Sequence, residues 1–268
     1  MGKQFPVLGK ASGGYHTPGT EINGLGIASN EVVITIDDLL ISHVSIANID
    51  EAMSHYDVRA PYSAELGRFL SYTLDKQLLQ MGVLAARASA RITGEAGGSV
   101  ITDAAAATDS NSLIADIFAA AQKFDEKDVP DYDRVVFLRP AQYYAVAQNT
   151  KVLNKDWGGA GVYADGKVLR IAGMDIVKTN HLPNTVISAG SVLAGSQNTG
   201  TVTNKYAGDF STTVALAMQK SALGTVKLMD LSMEAEYQIS RQSTLMVAKY
   251  AMGHGIKAPQ CAVEIKTA

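Results

Sequence analysis

Charge is scarce in this sequence. Charged residues make up 18% of the chain, below the ~25% usual for soluble domains. A chain that keeps so little of its surface wet with ions has surface to bury against partners. No sign of charge dominates. The net charge is −3, with neither the basic excess nor the basic stripe of a dedicated nucleic-acid binder. Tight DNA binding is therefore not expected, although proximity to DNA is compatible with this balance. Cysteine is nearly absent: Cys261 stands alone, so no internal disulfide forms, and a lone thiol fits a reducing compartment. It reads as a small buried residue in a strand. Long apolar runs are missing too. Nothing reaches the ~18 residues of a membrane helix, and residues 1–10 carry no apolar signal region. The expectation is a soluble protein made and used inside a cell.

What is present falls into a clear order. Residues 5–8 form a short strand candidate, and residues 31–40 (EVVITIDDLL) a stronger one, rich in β-branched side chains. Between them lie six glycines and scattered apolar residues. The segment reads as a two-stranded ribbon with a loose tip. Such a ribbon is marginal alone in water, so it must lie on its own body or on a neighbour. Phe5, Val7, Val32, Ile34 and Ile36 are the apolar residues it offers.

Asn48 is placed to cap a first helix, with Glu51 three residues on as in a capping box. Pro61 opens a second helix expected over residues 62–92, roughly 45 Å long. Leu66, Leu70, Leu74 and Leu78 recur along it. The e and g positions lack the paired charges of a coiled coil, so a single spine packed across a sheet fits better. Residues 93–108 read as a connector. Asp109 or Ser110 caps a third helix with Leu113, Ile117, Ala121 and Phe124 as its buried stripe. A strand over 134–138, a helix from Pro140, and strands over 168–171 and 174–178 follow. Residues 188–209 are turn-rich and expected to loop over the surface. Near the end, Met229, Leu231, Met233, Ala235, Tyr237 and Ile239 alternate with polar residues in the period of two that marks a strand. Residues 241–250 return antiparallel beside it. The apolar face of this ribbon is the expected partner of the spine helix.

Local chemistry is thin. GVYADGK, from Gly161 to Lys167, matches the start of a phosphate-cradling loop. Val168 stands where the Mg²⁺-binding hydroxyl belongs, and no helix is expected to follow. A glycine-rich surface turn explains it better. The acidic residues Asp125, Glu126, Asp128, Asp131 and Asp133 lack the spacing, glycine and closing glutamate of a calcium loop, so a solvated helix end is expected. His16, His43, His55, His181 and His254 form no zinc pattern. His55 near Asp57 reads as a structural pair, and His254 between two glycines as a turn. No catalytic, cofactor-binding or metal-binding residue is assigned, and no cofactor is expected.

Composition and periodicity stop at an α+β protein with a projecting hairpin and a long helix. The chain also resembles the major capsid proteins of T7-like podoviruses. QFPVLGK (4–10), VVITIDDLL (32–40), IDEAMSHYDVRAPYSAELG (49–67), SALGTVKL (221–228) and AKYAMGHG (248–255) carry the likeness in the family's order. Between about residues 89 and 208 only the order of elements is similar. The resemblance implies the HK97-like capsid fold, divided into an N-terminal remnant and extended loop (1–45), a peripheral domain with the spine helix (46–108), an axial domain (109–224), and the peripheral ribbon with the C-terminus (225–268). It implies an extended loop lying on a neighbouring subunit, and self-assembly through hexamers and pentamers into an icosahedral virion shell around double-stranded DNA. It also implies a scaffolding protein and a portal as partners. The family carries a longer N-terminal arm ahead of the segment that matches QFPVLGK, and the contacts of that arm are not placed on these residues. Two other readings compete: a nucleotide-binding enzyme using Gly161 to Lys167, and a DNA-packaging binder whose affinity falls steeply with salt.

Overall fold

The computed structural model describes residues 2–24, 26–54, 59–149, 170–188 and 204–268. The ribbon forms as expected. β1 (Gly2–Leu8) and β2 (Ser29–Thr35) pair antiparallel, Gly2 opposite Thr35 and Leu8 opposite Ser29. The expected continuous strand over 31–40 does not form. It breaks after Thr35, and the chain resumes as β3 (Leu40–Ala47) in a different sheet. Residues 36–39 are the crossover, fixed where the Asp37 amide donates to the Met252 carbonyl at 3.1 Å.

The helix α1 (Asn48–Met53) takes Asn48 into its first turn, and the capping box does not form. β3 stays paired through Ala47, opposite Ser243, and the Asn48 amide already donates to the Gln242 carbonyl. The amide that Glu51 would receive in a capping box is therefore already bonded. Glu51 instead takes the Arg59 guanidinium in two bonds of 2.5 and 2.9 Å.

The spine helix α2 (Arg59–Arg87) starts just before Pro61 and ends five residues short of Ile92. Its 29 residues span about 43 Å. Leu66 and Leu70 are buried as expected, while Leu74 and Leu78 are half-buried. Toward the C-terminus Leu79, Val83, Ala85 and Ala86 take over the core. The chain then folds back across the helix end. A Cβ on Gly98 would lie 2.3 Å from the Ala86 carbonyl oxygen and 2.4 Å from that of Ala85. The Gly98 amide donates to the Ala88 carbonyl at 2.9 Å. Only glycine permits that approach. The expected connector over 93–108 thus holds a strand, β4 (Ser99–Thr102).

The helix α3 (Ser110–Asp125) is capped by Asp109, whose carboxylate accepts from the Asn111 and Ser112 amides. β5 (Arg134–Leu138) and α4 (Pro140–Ala147) follow as expected, then β6 (Arg170–Ile171) and β7 (Met174–Lys178). A small pair, β8 (Val186–Ile187) with β9 (Gly208–Asp209), precedes β10 (Thr213–Gln219). β11 (Leu223–Gln238), β12 (Ser243–Ile256) and β13 (Ala262–Lys266) end the chain. Six strands form one mixed sheet in the order β4-β13-β10-β5-β7-β6. Leu113, Ile117 and Phe124 of α3 and Val146 of α4 share a core with Val136, Ile176 and Val263 of this sheet. α2 approaches the sheet so closely that a Cβ on Gly82 would lie 2.6 Å from Leu216. Cys261 is buried as expected, but in the 3-10 turn Pro259–Cys261 rather than in a strand.

The second sheet has the order β11-β12-β3, with the reversal at Gln242 in the left-handed region, φ 48°. Met233 lies opposite Ala248, Ala235 opposite Met246 and Tyr237 opposite Thr244. Directly opposed residues share a face. This is the face on which Met246 and Ala248 pack with Leu66 and Leu70 of α2. The expected face is right, but the expected partner covers only part of it. α2 lies over β12 and β3, and β11 overhangs. His254 is not in a turn either. It sits inside β12, paired with Thr225.

Candidate functional site

The root of the hairpin is seated on its own chain. Val32 and Ile34 are buried and pack with Val226, with Phe5, Val7 and Ile36 around them. The seat is a floor of glycines on β11 and β12. A Cβ on Gly224 would lie 2.7 Å from Ile34, one on Gly255 2.8 Å from Ile34, and one on Gly253 2.1 Å from the Thr35 carbonyl oxygen. Of the two seats expected for the ribbon, its own body and a neighbour, the root takes its own body. Two fully buried aliphatic side chains, at about 1.5–3 kcal/mol each, hold the root in place.

A polar clamp closes over the crossover. Lys205, in the 3-10 turn Asn204–Tyr206, pairs with Asp37 at 2.6 Å and donates to the Thr35 carbonyl at 2.9 Å. The Tyr206 hydroxyl donates to Asp37 at 2.5 Å and accepts from the His254 amide at 3.4 Å. Burial, with the Asp37 carboxylate beside it, pushes the Tyr206 phenol above its ordinary range. Burial likewise pushes Tyr250 up to about 12. The His254 ring meets the Thr225 hydroxyl through Nδ1 at 3.0 Å. Residues 204–206 fall in the segment expected to loop over the surface, yet Tyr206 is among the most buried side chains described. No sequence motif marks this clamp, because its members come from four separate segments.

Beyond the root the hairpin leaves the body. Lys10 fixes the start of the tip, its amide to Glu95 at 3.0 Å and its Nζ to Asp128 at 2.8 Å. Past it, Tyr15, Ile22 and Ile27 are exposed. A second uncovered apolar surface lies on the overhang of β11. Leu231 is 55% exposed and Met233 44%, with Tyr237 also in solvent and Ile239, in the 3-10 turn just past the strand, 76% exposed. A long edge strand with exposed apolar side chains invites pairing with another chain.

The acidic candidates do not converge. Asp125 pairs with Arg134, Glu126 with Lys123 and Asp128 with Lys10, each at 2.8–2.9 Å. His16 lies on the exposed tip and His43 in β3 opposite Val247, while His181 meets the Tyr72 ring edge-on at 4.7 Å. Among the described residues no cluster of three His, Cys, Asp or Glu could hold a metal, and no helix is long and apolar enough to cross a membrane. Gly161 to Lys167, His55 and Asp57 lie outside the described residues. A buried ion pair that the sequence does not announce ties α2 to the large sheet. Glu264, at 0% exposure, takes Arg87 in two bonds of 2.6 Å and the Thr213 hydroxyl at 2.7 Å.

A projecting hairpin, a spine helix over a three-stranded ribbon and a mixed sheet flanked by helices define the HK97-like class of phage capsid subunits. The capsid structure of cyanophage P-SCSP1u superposes with a TM-score of 0.88 at 40% identity, covering 100% of this chain and 83% of that one. The mature capsid protein of bacteriophage PhiM1 shares the fold at 17% identity, TM-score 0.80, over 100% and 82% of the two chains. In sequence, the major capsid protein of Escherichia phage T7 is 33% identical over 97% of this chain and 80% of its own length. That of Enterobacteria phage T3 is 31% identical over the same shares. The family model described as Gp10A-like, major capsid protein, matches residues 4–266, and the chain belongs to this family. It is a structural subunit of the virion shell, and the relatives give no support to the nucleotide-binding enzyme alternative.

Proposed function

We propose that the chain closes its shell by laying the hairpin tip of each copy on the β11 overhang of the next, around hexamers and pentamers. The observation that supports this reading is the coexistence, in one chain, of a projecting apolar tip and an uncovered apolar shelf. Each is a liability in a monomer. Together they form a heterologous contact that repeats around a rotation axis and closes. Seating the root on its own body leaves only the tip to be ordered on contact, which limits the conformational entropy lost. In this reading residues 109–224 meet their copies at the axes, with β4 and β13 closing their sheet, and the ribbon of 225–268 carries the peripheral contacts. A scaffolding protein and a portal take part, as the resemblance implies. Double-stranded DNA is enclosed without sequence-specific binding, in keeping with a net charge of −3.

Deleting residues 11–27 tests the tip, and Leu231→Asp tests the shelf. Both variants are expected to fold, with unchanged circular dichroism, and to yield no rings or shells by electron microscopy when expressed with the scaffold. Shells of normal size from the tip-deleted chain would sink the reading.

A further inference from the structure

We propose that His254 makes the hairpin root an acid-sensitive latch, holding β2 down while its imidazole is neutral and releasing it when the ring takes up a proton. The argument begins with geometry. His254 is 1% exposed and sits in β12 between Gly253 and Gly255, the two glycines on which Thr35 and Ile34 rest. Its Nδ1 has one partner, the Thr225 hydroxyl, and its buried Nε2 has none among the described residues. A neutral ring can leave a bare lone pair at Nε2. A cationic ring carries N–H donors on both nitrogens, so the Nε2 proton would be buried without an acceptor, at a cost well above that of a neutral orphan.

The groups around the ring do not relieve that cost. From the 204–206 turn come Lys205 and Tyr206, from the crossover Asp37, and from β11 the uncharged Thr225. Asp37 is the one carboxylate among them. It is already bound by Lys205 and by the Tyr206 hydroxyl, and Lys205 repels a second cation. Burial holds the ring down to about 4, with Asp37 favouring the cation and Lys205 opposing it. A released ring titrates near the ordinary ~6.5. The closed state thus binds fewer protons than the open one between those values. Its stability is full above about 6.5 and declines as pH falls toward about 4. Hydrogen bonds carry the latch to the hairpin, because the Tyr206 hydroxyl that accepts from the His254 amide itself donates to Asp37, the residue whose own amide pins the crossover to Met252.

Hydrogen exchange on the purified full-length chain tests this. Between pH 7 and 4.5, after correction for intrinsic exchange, protection of peptides covering the Asp37 amide and Ser29–Thr35 is expected to fall on the order of 50-fold. Peptides covering Arg134–Leu138, in the large sheet, are expected to change far less. His254→Asn, which keeps a polar atom for Thr225 without a titrating ring, is expected to remove most of the pH dependence at the root. Equal loss of protection at both places in the wild-type chain would overturn the latch, whatever the variant does. So would a root whose pH dependence persists in a folded His254→Asn protein.

Discussion

Glu264 has its carboxylate wholly out of solvent, and its charge is answered by Arg87, whose side chain is 29% exposed. Removing one partner of such a pair leaves an uncompensated buried charge, typically costing about 3–5 kcal/mol. Arg87→Ala is therefore expected to lower stability by that order in urea denaturation, while the double change Arg87→Met, Glu264→Leu recovers most of it. Asp116 is the opposite case. It is 9% exposed, one carboxylate oxygen has no partner among the described residues, and burial, with Asp103 nearby, pushes it up to about 6. A raised acid binds a proton more readily folded than unfolded, so its contribution is present at low pH and lost as pH rises through about 6. Asp116→Asn is expected to stabilise the chain by about 3 kcal/mol at pH 8 and by much less at pH 4.5. Urea midpoints at the two pH values, set against wild type, decide it. Neither residue carries a sequence signal. Glu264 meets Arg87 across a separation of 177 residues, and one acidic residue in a helical pattern looks like any other solvated one.

Elements with local punctuation were the legible part of the fold. Asp109 caps α3 because its side chain reaches amides two and three residues on, and Pro140 opens α4 where a missing amide costs nothing. β10 was illegible for a physical reason. It is covered by α2 on one face and by α3 and α4 on the other, so Thr213–Ala217 are buried without interruption. Such a strand shows no alternation to read. The β11 pattern was legible and its environment was not, since alternation reports that a face is apolar and not whether the covering layer comes from the same chain. The candidate site followed the same rule. The hairpin and the apolar pattern of β11 could be read, whereas the exposure of that pattern and the clamp of Asp37, Lys205, Tyr206 and His254 could not. At this scale glycines set the tolerance. Gly253→Ala would drive a methyl group into the Thr35 carbonyl, which cannot swing aside like a side chain. It is expected to cost about 1–3 kcal/mol and to raise exchange in β2 more than in β5.

Among the described residues, large apolar side chains stand in solvent along the hairpin tip and along the β11 overhang. If these meet between copies, association is driven mainly by apolar burial, which weakens on cooling and survives salt. Shell assembly measured by light scattering is then expected to be slower and less complete at 4 °C than at 25 °C. It should persist when sodium chloride is raised to about 0.5 M, where the Debye length of roughly 4 Å screens exposed ion pairs such as Lys10 with Asp128.

The crossover at residues 36–39 gives the hairpin a mechanical character as well. The chain passes directly from β2 into β3, which is paired with β12 from Leu40 opposite Tyr250 to Ala47 opposite Ser243. Tension on the tip, directed along β3, loads that whole ladder in shear, so its hydrogen bonds share the force instead of parting one by one. In a shell joined as proposed, a pull between subunits would be carried by strands that were already there to fold the monomer.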